Sequence, residues 1–185
     1  MSKTLKYILI GLGSVLGLFI LGFVILNIMI ASAFGAFDKD YSVSDLKEEY
    51  FSKEKEIDDL ILYFKEIKPK DKSIAIEFRD SKTLSRLRIN SKDSTRAIFQ
   101  QWDIPVKNLF NSELSKHLSW NDEKVKLLKT KLDNANCISI EDGEPIKVGF
   151  KRSGMGMYSF NIFQDKMTDG NNFNDSCQYI LVSRK

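Results

Sequence analysis

Histidine, cysteine and proline are scarce in this 185-residue chain, and each scarcity excludes a class of protein. The single histidine, His117, excludes the multi-histidine zinc centres of metallohydrolases. The two cysteines form no CxxC pair and are too few for a zinc knuckle. Three prolines and ten glycines exclude a collagen-like or low-complexity chain. No motif of a known family is recognisable, and we predict no catalytic residue set, no cofactor site and no metal site.

Charge is also missing, but only from one part of the chain. The 31 residues from Tyr7 to Phe37 contain no Asp, Glu, Lys, Arg or His. A helix rises about 1.5 Å per residue, so about 20 apolar residues cross a hydrocarbon core of about 30 Å. The sequence therefore predicts a single membrane-spanning helix near Tyr7 to Ile30.

A cleaved secretory signal is the alternative interpretation of this apolar run. Ala31-Ser32-Ala33 has the small-x-small pattern of a cleavage site, so the alternative is a protein secreted after cleavage near Ala33. The apolar core of a signal peptide usually has about 7 to 15 residues, which is shorter than this run. The length therefore favours an uncleaved signal-anchor.

Two further features of the anchor concern its orientation and its packing. Lys3 and Lys6 form a short basic tip, which favours a cytoplasmic N-terminus and a soluble domain in the periplasm or outside the cell. Gly13 and Gly17 have the small-xxx-small spacing that lets two membrane helices approach closely, so they are a candidate dimer face.

The remaining residues have the composition of a soluble domain. We predict an N-terminal tip and anchor over residues 1–37 and a soluble domain over residues 38–185. The domain carries 26 Lys and Arg against 25 Asp and Glu, with the two signs interspersed. Proteins that bind nucleic acid usually carry a strong basic excess, so we predict no nucleic-acid partner.

Hydrophobic periodicity predicts an α+β fold for this domain. Apolar residues recur at steps of three and four between Leu46 and Ile67, a stripe that only Lys53 interrupts, and again after Asn121. Alternation with period two predicts a hairpin from Ile74 to Ile89 and further strands after Cys137. The prediction is a two-layer domain in which an antiparallel sheet carries two helices on one face.

Two groups of residues are candidate sites within the domain. Cys137 and Cys177 each precede a predicted strand, and neighbouring strands would let them form a disulfide in an oxidising compartment; two separate buried thiols are the alternative. The second group is a glycine-containing loop with basic neighbours, whose backbone N–H groups suit an anion. Its residues are Lys151, Arg152, Gly154 and Gly156.

These features favour a membrane-anchored domain outside the cytoplasm that binds a protein or another ligand and is not an enzyme. One alternative is a membrane-tethered hydrolase that uses carboxylates such as Glu141 and Glu144, which cluster at a predicted hairpin tip. Another alternative is an immunity or inhibitor protein held at the membrane. The oligomeric state is left open.

Overall fold

The computed structural model describes residues 2–92, 96–110, 116–154, 156–163 and 179–183. The chain divides into two compact units. The first contains Met1–Asp40 and Ser153–Gly156, and the second contains Tyr41–Arg152 and Met157–Lys185.

The first unit consists mainly of one long helix, α1, over Lys3–Ala33. Its segment Ile10–Ala33 is long and apolar enough to cross a membrane, and none of that segment is buried within the protein. The same properties suit a signal sequence. Its polar side chains bond to the helix itself: Ser14 donates to the Ile10 carbonyl and Asn27 to the Phe23 carbonyl. These bonds lower the cost of placing the two polar groups in lipid.

Among its described residues, the second unit contains three helices, a short 3₁₀ helix and seven strands, except that Ser153 at the end of one strand and Gly156 at the start of the next belong to the first unit. The helices are α2 Val43–Ser52, α3 Glu54–Ile67 and α4 Asp122–Asn134, and the 3₁₀ helix is Val106–Phe110. The strands are β1 Lys72–Phe78, β2 Thr83–Ser91, β3 Ala97–Pro105, β4 Ser139–Glu141, β5 Ile146–Ser153, β6 Gly156–Phe163 and β7 Tyr179–Ser183.

The strands form one sheet in the order β3-β2-β1-β4-β5-β6-β7. Strands β1 to β6 are antiparallel, and β7 runs parallel to β6. The predicted α+β class is confirmed. The predicted strands are present. Nothing in the apolar run of β7 indicated a parallel partner, because strand direction is set by pairing between distant segments.

The helices and one side of the sheet share a single hydrophobic core. Alternate residues of β1, including Ile74 and Ile76, are buried in it together with Leu87 of β2. The helices contribute one stripe each, including Leu60 of α3 and Leu128 of α4. Helix α4 begins as predicted, with the Asn121 side chain accepting from the Lys124 N–H.

The stripe between Leu46 and Ile67 lies on two helices, α2 and α3, which separate at Lys53. Lys53 adopts φ −122° and ψ 14°, and its N–H bonds to the Tyr50 carbonyl three residues earlier. Its ammonium group reaches Glu56 at 3.4 Å. The break therefore falls at the one position of the stripe whose side chain needs water and a charged partner.

Candidate functional site

The sheet face opposite the helix core carries a row of directly paired residues from five strands. In spatial order they are Trp102, Arg86, Glu77, Ser139 and Gly149. Directly opposed residues on neighbouring strands project to the same side of the sheet. We call this surface the polar face. The β5 end of the row is crowded, because a Cβ added at Gly149 would lie 2.0 Å from the Ser139 hydroxyl oxygen.

An ion pair between Glu77 and Arg152 occupies the middle of the polar face. The Glu77 carboxylate is 2% exposed, and its two oxygens accept from Arg152 Nε at 2.6 Å and from Arg152 Nη2 at 2.7 Å. This bidentate arrangement is the strongest common form of an Arg–carboxylate contact. The hydrogen bonds that Arg152 donates to Glu77 raise the pKa of Arg152, so its guanidinium is charged at any physiological pH.

A cavity of about 510 Å³ lies over this ion pair. Phe78 and Ile138 also line the cavity, and Ser85 adds a hydroxyl group. A second ion pair, between Arg79 and Asp103, lines the cavity as well. Asp103 has a φ of 53°, a left-handed conformation that Asp adopts more readily than bulky or β-branched residues.

Trp102 of β3 also lines the cavity, and its side chain is 56% exposed. In the described sheet, β3 stands at the edge, so one side of the cavity is open to solvent. The other tryptophan, Trp120, is buried, and its indole N–H donates to the Ile67 carbonyl at 2.8 Å. The contrast is informative because a large exposed aromatic ring beside a cavity is a common feature of binding sites.

Arg86 adds a third guanidinium to the polar face. It lies between Trp102 and Glu77 in the row of paired residues, and its Nη2 is 3.8 Å from the Glu141 carboxylate. Its Nε is buried and has no hydrogen-bond partner among the described residues. The guanidinium therefore has hydrogen-bonding capacity that this long contact with Glu141 does not use.

The four residues of the predicted anion loop do not converge on one point. Arg152 bonds to Glu77, and Lys151 donates to the Asn136 side-chain oxygen at 2.9 Å. Within the first unit, the Gly154 N–H donates to the Asp38 carboxylate at 2.7 Å, and Gly154 has a φ of 52°. Gly156 begins β6. Lys151, Arg152 and Gly154 thus already bond to carboxylates or an amide of the chain itself. Binding of an external anion stays a prediction.

Cys137 is buried, and its thiol donates to the Ala135 carbonyl at 3.2 Å. Burial raises the pKa of Cys137 to about 12, an effect that Lys151 opposes only partly. The thiol is therefore unreactive near neutral pH. Cys177 lies outside the described residues, so the disulfide between Cys137 and Cys177 stays a prediction.

The remaining candidates are dispersed. Gly13 and Gly17 lie on α1, where an added Cβ would meet nothing within 4 Å, and their role in a dimer stays a prediction. The His117 carbonyl accepts from Lys72 Nζ at 3.0 Å. Glu144 is exposed, and it does not line the cavity that Arg152 borders. The described residues contain no cluster of three metal-ligating side chains.

The comparisons with known proteins add no further assignment. No family model, no curated protein and no solved structure matches the chain. The candidate site therefore rests on the geometry of the polar face alone.

Sequence reasoning identified Arg152 but missed Glu77, Trp102 and Asp103. Alternation along β1 places Glu77 on the side opposite Ile74 and Ile76, and a charged residue on that side of a strand is ordinary. The pair joins residues 75 positions apart in the sequence, and no local pattern indicates such a contact. The only feature of the sequence that could have indicated this site was Trp102, a large aromatic residue between two polar residues in a strand.

Proposed function

We propose that the chain is a membrane-tethered binding domain and that the cavity on the polar face is its binding surface. The observation that supports the proposal most directly is the combination of an exposed tryptophan with a buried ion pair in one cavity of about 510 Å³. Ligand pockets commonly measure about 300 to 1,000 Å³ and present a few well-positioned polar groups beside aromatic surface.

We further propose that the domain lies outside the cytoplasm and that α1 is retained as an anchor. The support is the apolar segment Ile10–Ala33, together with the basic tip of Lys3 and Lys6 in front of it. A retained anchor would keep the cavity close to ligands or partners at the same membrane.

The geometry favours binding over hydrolysis. A carboxylate hydrolase needs one carboxyl group that donates a proton and a second that acts as a base or nucleophile. Arg152 holds both oxygens of Glu77. The Asp103 carboxylate faces Arg79. A carboxylate that already accepts from a guanidinium would have to leave that partner before it could act on a substrate.

Site-specific photo-crosslinking of the full chain in its native membranes tests the proposal. A photoreactive side chain replaces Ser85 at the cavity, or Leu127 on the exposed face of α4 as the matched control. We expect an adduct from position 85 alone, diminished by Trp102→Ala and by an excess of the unmodified chain. Equal adducts from both positions, or an adduct that Trp102→Ala leaves unchanged, would contradict the proposal.

A further inference from the structure

We propose that the cavity on the polar face binds a neutral, hydroxyl-rich ligand, namely an oligosaccharide chain. This inference rests on the proposed function of the same cavity and names the chemical class of its ligand. It follows from three properties of the cavity: the balance of its charges, its exposed indole ring and its mixture of hydrogen-bond donors and acceptors.

The charges of the polar face cancel in pairs. Glu77 faces Arg152 and Asp103 faces Arg79, and both pairs line the cavity. Beside them, Arg86 approaches Glu141. Each charge in these pairs already has a partner of opposite sign, so an anionic or a cationic ligand would gain little Coulomb energy here while its own charge left water. A neutral ligand does not carry this cost and fits the arrangement better.

The exposed indole of Trp102 selects for a ligand with a flat apolar face. An aromatic ring carries partial negative charge on its face, which attracts polarised C–H groups. A pyranose ring presents such C–H groups on one face and hydroxyl groups around its edge. It can therefore pack on Trp102 while its hydroxyl groups contact the neighbouring polar side chains.

The polar side chains of the cavity supply both kinds of hydrogen-bonding partner. A guanidinium has five N–H donors, and Arg152 gives two of its nitrogens to Glu77 while 46% of its side chain is exposed. Asp103 offers carboxylate oxygens as acceptors, and its side chain is 63% exposed. Ser85 can donate and accept. A sugar hydroxyl also donates and accepts, so it matches a mixed set of this kind.

The test uses the fluorescence of Trp102 in the full chain, held in a detergent without a sugar headgroup. The probes are neutral hexamers of glucose and of N-acetylglucosamine, and the charged comparison is a hexamer of galacturonic acid. Trp102 is exposed and Trp120 is buried, so acrylamide quenches mainly Trp102. The Trp102→Phe variant shows how much of the signal belongs to Trp102.

We expect a neutral hexamer to protect Trp102 from acrylamide and to shift its emission to shorter wavelength. The affinity should change little between roughly 50 and 500 mM salt, because screening acts only on charged partners. Affinity measured by calorimetry should be highest for the parent chain, lower for Trp102→Phe and lowest for Trp102→Ala, which should lose about tenfold. Leu127→Ala on α4 is the matched control and should leave the affinity unchanged.

Two results would overturn the inference. One is the absence of protection by either neutral hexamer up to about 10 mM, a concentration high enough to detect binding with a Kd of about 10 mM. The other is salt-sensitive binding of the galacturonic acid hexamer alone. If either occurs while the Trp102-dependent adduct at position 85 persists in membranes, the ligand class is wrong and the proposed function stands. Loss of both signals would remove the proposed function as well.

Discussion

At the scale of single residues, the polar face depends on compensation of the Glu77 charge. Glu77 is only 2% exposed, while the side chain of Arg152 is 46% exposed. The two members of the pair are therefore unequal. Removal of Arg152 leaves an uncompensated buried charge, whereas removal of both side chains leaves an apolar patch.

Arg152→Met should lower the free energy of unfolding by about 3 kcal/mol, the lower end of the range for a broken buried pair, because water screens the exposed arginine. The double variant Glu77→Leu/Arg152→Met should regain most of this loss. Urea unfolding of the full chain in detergent, followed by the fluorescence of buried Trp120, measures both values. If the free energy of unfolding of Arg152→Met lies within about 0.5 kcal/mol of the parent value, another group compensates the charge of Glu77.

Cys137 provides a pH-dependent contribution to stability in the reduced chain. Its folded pKa is raised to about 12. The thiol of an unfolded chain has a pKa of about 8.5. Between these two values the unfolded chain loses a proton that the folded chain keeps, so stability should fall as pH rises above about 9, by about 1.4 kcal/mol per pH unit.

The measurement is urea unfolding of the reduced chain from about pH 8 to about pH 11, with Cys137→Ala as the control that should lack this component. A parallel thiol count on the unreduced, denatured chain tests the predicted disulfide. No titratable thiol is expected if Cys137 and Cys177 are bonded, and two are expected if they are separate. An identical pH slope in the parent and in Cys137→Ala would contradict the burial argument.

At the scale of secondary structure, helix α2 shows how local sequence determines where an element begins. The Ser42 hydroxyl accepts from the Asp45 N–H at 3.2 Å, and the Asp45 carboxylate accepts from the Ser42 N–H at 2.8 Å. This reciprocal capping box was readable from the spacing of the two residues. The break at Lys53 was not, because the spacing of three and four residues continues through Lys53, and one charged residue in an apolar stripe does not by itself indicate the end of a helix.

Ser42→Ala should destabilise the domain by about 1 kcal/mol, since it leaves the first N–H groups of α2 without their side-chain acceptor. Ser44→Ala, two residues further along inside the same helix, is the matched control and should change stability by less than about 0.5 kcal/mol. Thermal unfolding of the full chain, followed by circular dichroism, compares the two. Equal effects of the two substitutions would show that the capping bond contributes nothing.

At the scale of whole strands, the prediction from alternation was correct for one side of β1 and incomplete for the other. Ile74, Ile76 and Phe78 are buried in the core, as the pattern predicts. Glu77 is equally buried on the opposite face. The reason is tertiary: β4 and β5 pair beyond β1, and Arg152 reaches back from the end of β5 to cover the carboxylate.

At the scale of the whole molecule, the central question is whether α1 stays attached. We expect the full chain to remain in the membrane fraction after alkaline carbonate extraction and to keep Met1 to Ala33, as judged by intact mass. Retention follows from the transfer of about 20 apolar residues into lipid. A soluble product that begins near Phe34 would identify a cleaved signal instead.

The orientation of the chain is tested separately. Leu127, exposed on α4, is replaced by Cys, and intact cells are treated with a membrane-impermeant maleimide. Labelling in intact cells is expected if the domain lies outside the cytoplasm. Labelling only after lysis would place it inside. Cys137 is buried and contributes little to the signal, and the parent chain corrects for Cys177.

By itself, the sequence determined the features that depend on neighbouring residues: the apolar helix near the N-terminus, the capped helix starts, the alternating strands and the α+β class. Only the tertiary structure decided that Glu77, Asp103 and Trp102 share a cavity with Arg152. Periodicity reports the side of an element on which a residue lies. It does not report which distant strand lies beside it, and the site is built from contacts between strands that are far apart along the chain.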